Sequence, residues 1–120
     1  MEWGSGQRGI GGENKAISAC RYRPARALPK DKASDVIAYQ LLKSGTSIGA
    51  NYREATRAES KADFVHKLGL VQKEANETVY WLELVQESKM INKELVAPVL
   101  SEAKELLAIF GASHKTARRT

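Results

Sequence analysis

Between residues 37 and 110 the apolar and small side chains recur at spacings of four and three, a repeat that restricts the chain to helices packed side by side. Ile37, Leu41, Ser44, Ile48, Asn51 and Ala55 form one stripe. Phe64, Leu68, Val71, Ala75, Thr78, Leu82 and Val85 form a second, and Val96, Leu100, Ala103, Leu107 and Phe110 a third. No stretch alternates with the period of two that a half-buried strand requires, so the class is all-α. Short connections between long amphipathic helices make an antiparallel up-down bundle.

Local signals mark the ends. Asp31 after Pro29 is the candidate cap of the first helix, and Ser60-Lys61-Ala62-Asp63 opens the second with a hydroxyl for an exposed amide and a carboxylate in the first turn. Asn92 caps the third, which is expected to stop at Gly111. Pro98 lacks an amide proton and is expected either to kink the first turns of that helix or to shift its start to about Ala97. The second helix carries Leu70, Trp81 and Leu84 off its stripe, so it is apolar over more of its circumference than one neighbour covers. Gly45 and Gly49, one turn apart on the first helix, let another backbone approach closely. The surplus apolar face calls for a fourth helix or a second subunit, and self-association through Gly45, Gly49, Trp81 and Leu84 is the expectation.

The chain has 120 residues, enough for one core and too few for two, which excludes a two-domain enzyme. Nineteen Lys and Arg against fourteen Asp and Glu leave +5. Met1 to Pro29 carries +3, Lys30 to Ala112 carries −1 and Ser113 to Thr120 carries +3, so the basic pI of 9.4 belongs to the ends. Met1 to Ala27 is rich in Gly and Arg, without periodicity, and is expected to be disordered; residues 28–112 form the bundle, and residues 113–120 a frayed basic tail. The single cysteine, Cys20, excludes an internal disulfide, and no apolar run approaches the roughly 20 residues of a membrane span. The expected location is the cytoplasm, with no membrane partner.

Chemistry-bearing residues are sparse. Asp63 and His66, three apart, form half of a di-iron pattern, but the other half is missing, and a solvent-facing His66 paired with Asp63 is the plainer expectation. Cys20 lies near Arg21 and Arg23 without a partner histidine, and Ser44, Thr46 and Ser47 lack a base. These patterns point to no catalytic residue, metal, cofactor or small-molecule substrate. Asn51, Tyr52, Arg53 and Glu54 form a polar cluster at the end of the first helix. Asn51 and Glu54 offer either a buried amide or carboxylate hydrogen-bonded to a facing helix and fixing register or oligomer state, or part of a recognition patch with Arg53, Arg57 and Lys61. Lys115, Arg118 and Arg119 in the tail are the other candidate nucleic-acid contacts.

Leu28-Pro29-Lys30, the run Ser47-Ile48-Gly49-Ala50-Asn51-Tyr52-Arg53-Glu54-Ala55, and Ser60-Lys61-Ala62-Asp63-Phe64 with the long helix to Glu87 resemble the small bacterial four-helix-bundle proteins known as 23S rRNA intervening-sequence proteins. They are also similar to the accessory variability protein of diversity-generating retroelements. The resemblance covers about Arg26 to Gly111. It implies a left-handed antiparallel bundle assembled as a pentameric ring, no known enzymatic activity, and a role in binding RNA or a reverse transcriptase. The family usually places an amphipathic helix before the Leu-Pro-Lys turn, and by that comparison the first helix is degraded or absent here.

Two functional classes follow. One is a non-catalytic oligomeric module that binds RNA or a nucleic-acid enzyme. The other is a protein-protein interaction module docking an apolar groove on a partner, with no nucleic-acid role.

Overall fold

Three helices of nearly equal length run antiparallel, joined by two short turns. The structure, a computed structural model, describes residues 24–119. Helices α1 (Lys32–Thr56), α2 (Lys61–Glu87) and α3 (Lys93–Arg119) follow a helical stretch at residues 24–27. No strand occurs among the described residues.

The caps form where the sequence places them. Asp31 Oδ1 accepts from the Ser34 amide at 2.9 Å, and Ser60 Oγ accepts from the Asp63 amide at 3.0 Å. Asp63 Oδ2 reaches back to accept from the Glu59 amide at 3.2 Å, so both side chains of this cap satisfy donors that the helix leaves open. The Asn92 carbonyl accepts from Leu95 and Val96, and α3 begins at the next residue. At the α2–α3 turn Lys89 adopts φ 55°, the left-handed conformation more commonly taken by glycine after a helix.

Helix α2 packs along both neighbours, as its wide apolar face requires, and every residue of its stripe from Phe64 to Val85 is buried. Tyr52 of α1 and Phe110 of α3 meet beyond it, ring centroids 5.7 Å apart. One half of the core gathers Ile37, Leu41, Leu82, Val85, Val96 and Leu100, and the other Ile48, Tyr52, Phe64, Leu68, Leu106 and Phe110.

Several expectations change. Helix α3 does not stop at Gly111: no described glycine has positive φ, and the good helix formers Ala112, Lys115, Ala117 and Arg118 carry it to Arg119. The expected basic tail is therefore helix as far as it is described, with Ala117 buried. Pro98 sits inside α3 without moving its start, because it is solvent-exposed and removes only one backbone bond near the beginning. The expected disorder of residues 1–27 fails at its end, where residues 24–27 are helical and Ala25 is buried with Leu28. Residues 1–23, Cys20 included, lie outside the described residues.

A buried hydroxyl pair sets the register of α1 on α2. Thr78 Oγ1 donates to Ser44 Oγ at 3.0 Å, Ser44 donates onward to the Leu41 carbonyl at 3.3 Å, and Thr78 Oγ1 also lies 2.9 Å from the Glu74 carbonyl oxygen. Each hydroxyl keeps a carbonyl within its own helix if its partner is removed. Ser44→Ala and Thr78→Val are each expected to cost less than about 1.5 kcal/mol, with a coupling of about 0.5–1.5 kcal/mol in a double-mutant cycle by urea unfolding. Strict additivity would mean that the two hydroxyls do not communicate.

Candidate nucleic-acid interface

The topology brings two separate stretches of sequence to one end of the molecule. Arg53 lies in the last turn of α1, Arg57 caps that helix, and Lys61 opens α2. Because α3 runs parallel to α1 and reaches Arg119, Lys115, Arg118 and Arg119 return to the same end. Ala58 of the turn, Phe64 of α2 and Ala117 of α3 share one core cluster. Arg53, Arg57, Lys115, Arg118 and Arg119 are exposed and Lys61 is half-buried.

The charge of this pole is uneven. Residues 53–67 hold four basic and three acidic side chains, and residues 113–119 add three basic and no acidic ones, for a net +4. At the other end residues 24–35 and 86–94 together carry +1. Lys67 is drawn to Asp63 at 3.5 Å and to Glu54 at 3.8 Å, and of the two stretches the α3 terminus, with no acidic residue, is the less compensated. With Glu54 two-thirds exposed, its ion pair contributes at most a few tenths of a kcal/mol.

The polar cluster does not form the buried contact with a facing helix that one reading expected. Asn51 is half-buried and donates through Nδ2 to the Ser47 carbonyl of its own helix at 2.9 Å, so it does not bridge to a facing helix. Glu54 is exposed and reaches α2 only through Lys67. The buried member is Tyr52, packed on Phe110, with burial raising its phenol pKa. Its place follows from the pattern, since it falls four residues after Ile48. His66 is exposed, and Asp63 pairs with Lys67 instead. Among the described residues no group of three or more His, Cys, Asp or Glu is placed to hold a metal ion.

The candidate interface residues divide. Gly45 is buried within the protomer and Gly49 half-buried, so Gly45 is not open to a second backbone. Trp81 and Leu84 are half-buried against the protomer core. Among the exposed apolar side chains, Val36 and Tyr39 of α1 and Tyr80 of α2 are 53%, 61% and 57% exposed, and Tyr80 meets Trp81 edge-on at 4.9 Å. Leu42 and Ile109 add smaller exposed areas. The Ser44–Thr78 register sets residues 36–42 of α1 opposite residues 80–86 of α2, away from the cationic pole.

Two further groups are perturbed. Burial, then the neighbouring Glu77, raises the Glu74 carboxyl pKa against the pull of Lys73 and Lys43. Burial, then Arg118, lowers the His114 pKa. They stand on different faces of α2, Glu74 toward α1 and His114 in the seam with α3. Among the described residues no helix is long and apolar enough to cross a membrane.

An antiparallel all-α bundle whose described residues gather positive charge at one end and expose Val36, Tyr39 and Tyr80 toward the other is the class these observations define. The chain belongs to the 23S rRNA-intervening sequence protein family, whose family model matches residues 15–112. The match begins upstream of the Arg26 limit seen from the motifs, so the segment ahead of the Leu-Pro-Lys turn is in part family sequence. A solved structure of a protein with unknown function from the S23 ribosomal protein family of Bacteroides thetaiotaomicron is 35% identical, with a TM-score of 0.80 over 88% of this chain and 98% of the other. No curated protein matches.

The pole depends on the Ser60 cap to aim the start of α2. Ser60→Ala is expected to cost about 1 kcal/mol. Calorimetry should show a fall in Tm of about 4–8 °C, and an unmoved Tm would show that the cap does not anchor this end.

Proposed function

We propose that this chain is a non-catalytic, self-associating helical module of the cytoplasm whose cationic pole engages RNA or an enzyme working on nucleic acid. The supporting observation is the continuation of α3 to Arg119, which brings Lys115, Arg118 and Arg119 to the same end of the bundle as Arg53, Arg57 and Lys61. Exposed Lys and Arg attract phosphates through counterion release, a term that needs no base-specific contact. The exposed Val36, Tyr39 and Tyr80 with the flank of Trp81 and Leu84 are the surface for a second copy in place of the Gly45 stripe. A ring, pentameric by family resemblance, would gather several poles and multiply a weak single-site affinity.

The apolar strip also supports a second reading, in which it docks on a different protein and the charge plays no part. Salt separates the two. RNA held at the pole should be lost steeply between about 50 and 200 mM salt, whereas apolar docking should hardly respond. Replacing Lys115, Arg118 and Arg119 together by Gln should lower the salt slope by roughly 0.7–0.9 for each phosphate contact removed. Arg53→Gln with Arg57→Gln should do less, because Glu54 and Glu59 already offset their field. Fluorescence anisotropy on single-stranded and duplex RNA reads both effects. Salt-independent binding, or none, would favour the protein-docking reading.

A further inference from the structure

Rings are what a basic surface adds to charge when it holds a single strand, because every base has a face to stack and stacking is worth roughly five- to hundredfold in affinity per base. Near the cationic pole the described aromatic rings are committed to the core. Tyr52 is 4% exposed, Phe64 1% and Phe110 0%, and Tyr52 packs on Phe110. The exposed rings stand far from this end. Tyr39 lies 17 residues before Thr56, where α1 ends, and Tyr80 lies 19 after Lys61, where α2 begins, which is roughly 25–29 Å along their helices. Trp81, the neighbour of Tyr80, is half-buried in the same distant half of the core. Of the two histidines, His66 is exposed on α2, and His114 is half-buried with its imidazole where a side chain at position 69 would stand.

What this end exposes instead is charge carried on helix ends. Arg53 and Arg57 close α1, Lys61 opens α2, and Lys115, Arg118 and Arg119 lie on the last two turns of α3. Cations seated on helices form an array of nearly fixed spacing, suited to a polyanion that is itself stiff. A flexible strand must first lose its own freedom to match such an array, a cost that stacking ordinarily offsets. A duplex arrives ordered and presents about twice the phosphates per unit length, since both strands contribute. Each phosphate neutralised also releases more counterion from a duplex, about 0.9 against about 0.7 for a single strand.

We infer that the RNA engaged by this pole is a double-helical segment, gripped by its phosphates with no base stacked or read. The inference rests on the RNA reading proposed above and narrows it to one form of the polymer. Arginine could supply a stacking plane of its own, and lysine could not, so exchanging the two separates charge from stacking.

The test is fluorescence anisotropy of the full chain with an RNA duplex and with oligo-U and oligo-A strands, all matched in phosphate number and read at low salt. The duplex should bind at least about tenfold tighter than either strand, and duplexes of different sequence should agree within about threefold. Replacing Arg53, Arg57, Arg118 and Arg119 together by Lys should leave duplex affinity within about threefold, whereas Gln at the same four positions should lower it at least about tenfold. His66→Ala, which removes the exposed ring, should also stay within about threefold. A strand held as tightly as the duplex, a large loss on exchanging Arg for Lys, or a large loss in His66→Ala would overturn the inference and leave RNA binding in place. Binding to no RNA of either form would overturn the RNA reading itself, and this inference with it. The comparison of duplex with strand needs no variant, so it decides the matter even where a substitution harms folding.

Discussion

The breadth of the apolar face on α2 governs the rest of the molecule. A helix with a single stripe is satisfied by one neighbour, but α2 buries Phe64, Leu68, Val71, Ala75, Thr78, Leu82 and Val85 and still presents Val79, Trp81 and Leu84 to its flanks. It therefore takes the central position between α1 and α3. Since both connections are short, α3 must run parallel to α1 and end where α1 ends. The two outer helices reinforce this through Tyr52 and Phe110, which neither turn could bring together alone. The cationic pole is thus a consequence of packing: charges remote in sequence share an end because an apolar helix needed covering on two sides.

The parts of this arrangement legible in the sequence are those decided by local chemistry or by period. Asp31 and Ser60 cap their helices because a short polar acceptor ahead of an apolar stripe has little better to do. The α2 stripe is buried throughout because four-and-three spacing leaves it one face. Illegible were the features that depend on what lies across the seam. Gly111 looks like a stop, yet a glycine also serves where a neighbouring helix comes close, and Gln72 occupies that approach. Tyr52 reads as polar beside Arg53 and Glu54, but its ring finds Phe110 and its position is core. Asn51 sits on the stripe and still spends its amide on its own helix, on the Ser47 carbonyl four residues back.

The surface is divided in a way the stripes do not foretell. The pole at the α1–α2 turn carries the charge, and the opposite half carries Val36, Tyr39 and Tyr80. An apolar contact and a phosphate contact can therefore be made at once without competing for the same side chains. The proposed assembly and the proposed recognition would then use different side chains and be separable by mutation.

Basic residues at helix C-termini need a structural explanation before a functional one. Arg53 in the last turn of α1 and Arg118 and Arg119 in the last turn of α3 each face the negative end of a helix dipole, worth about 0.3–1 kcal/mol to stability whatever else they do. Magnitude decides how much is left over. Two C-termini at roughly −0.5 each and one N-terminus at roughly +0.5 sum to about −0.5 at this end, against side chains carrying a net +4. Neutralising the dipoles consumes a small part of that charge. The remainder costs the folded state mutual repulsion; at the other end, where two helix N-termini and one C-terminus sum to about +0.5, the described residues 24–35 and 86–94 carry +1. A charge far larger than the fold needs, gathered where the fold did not need it, is the physical argument for an anionic partner at this pole.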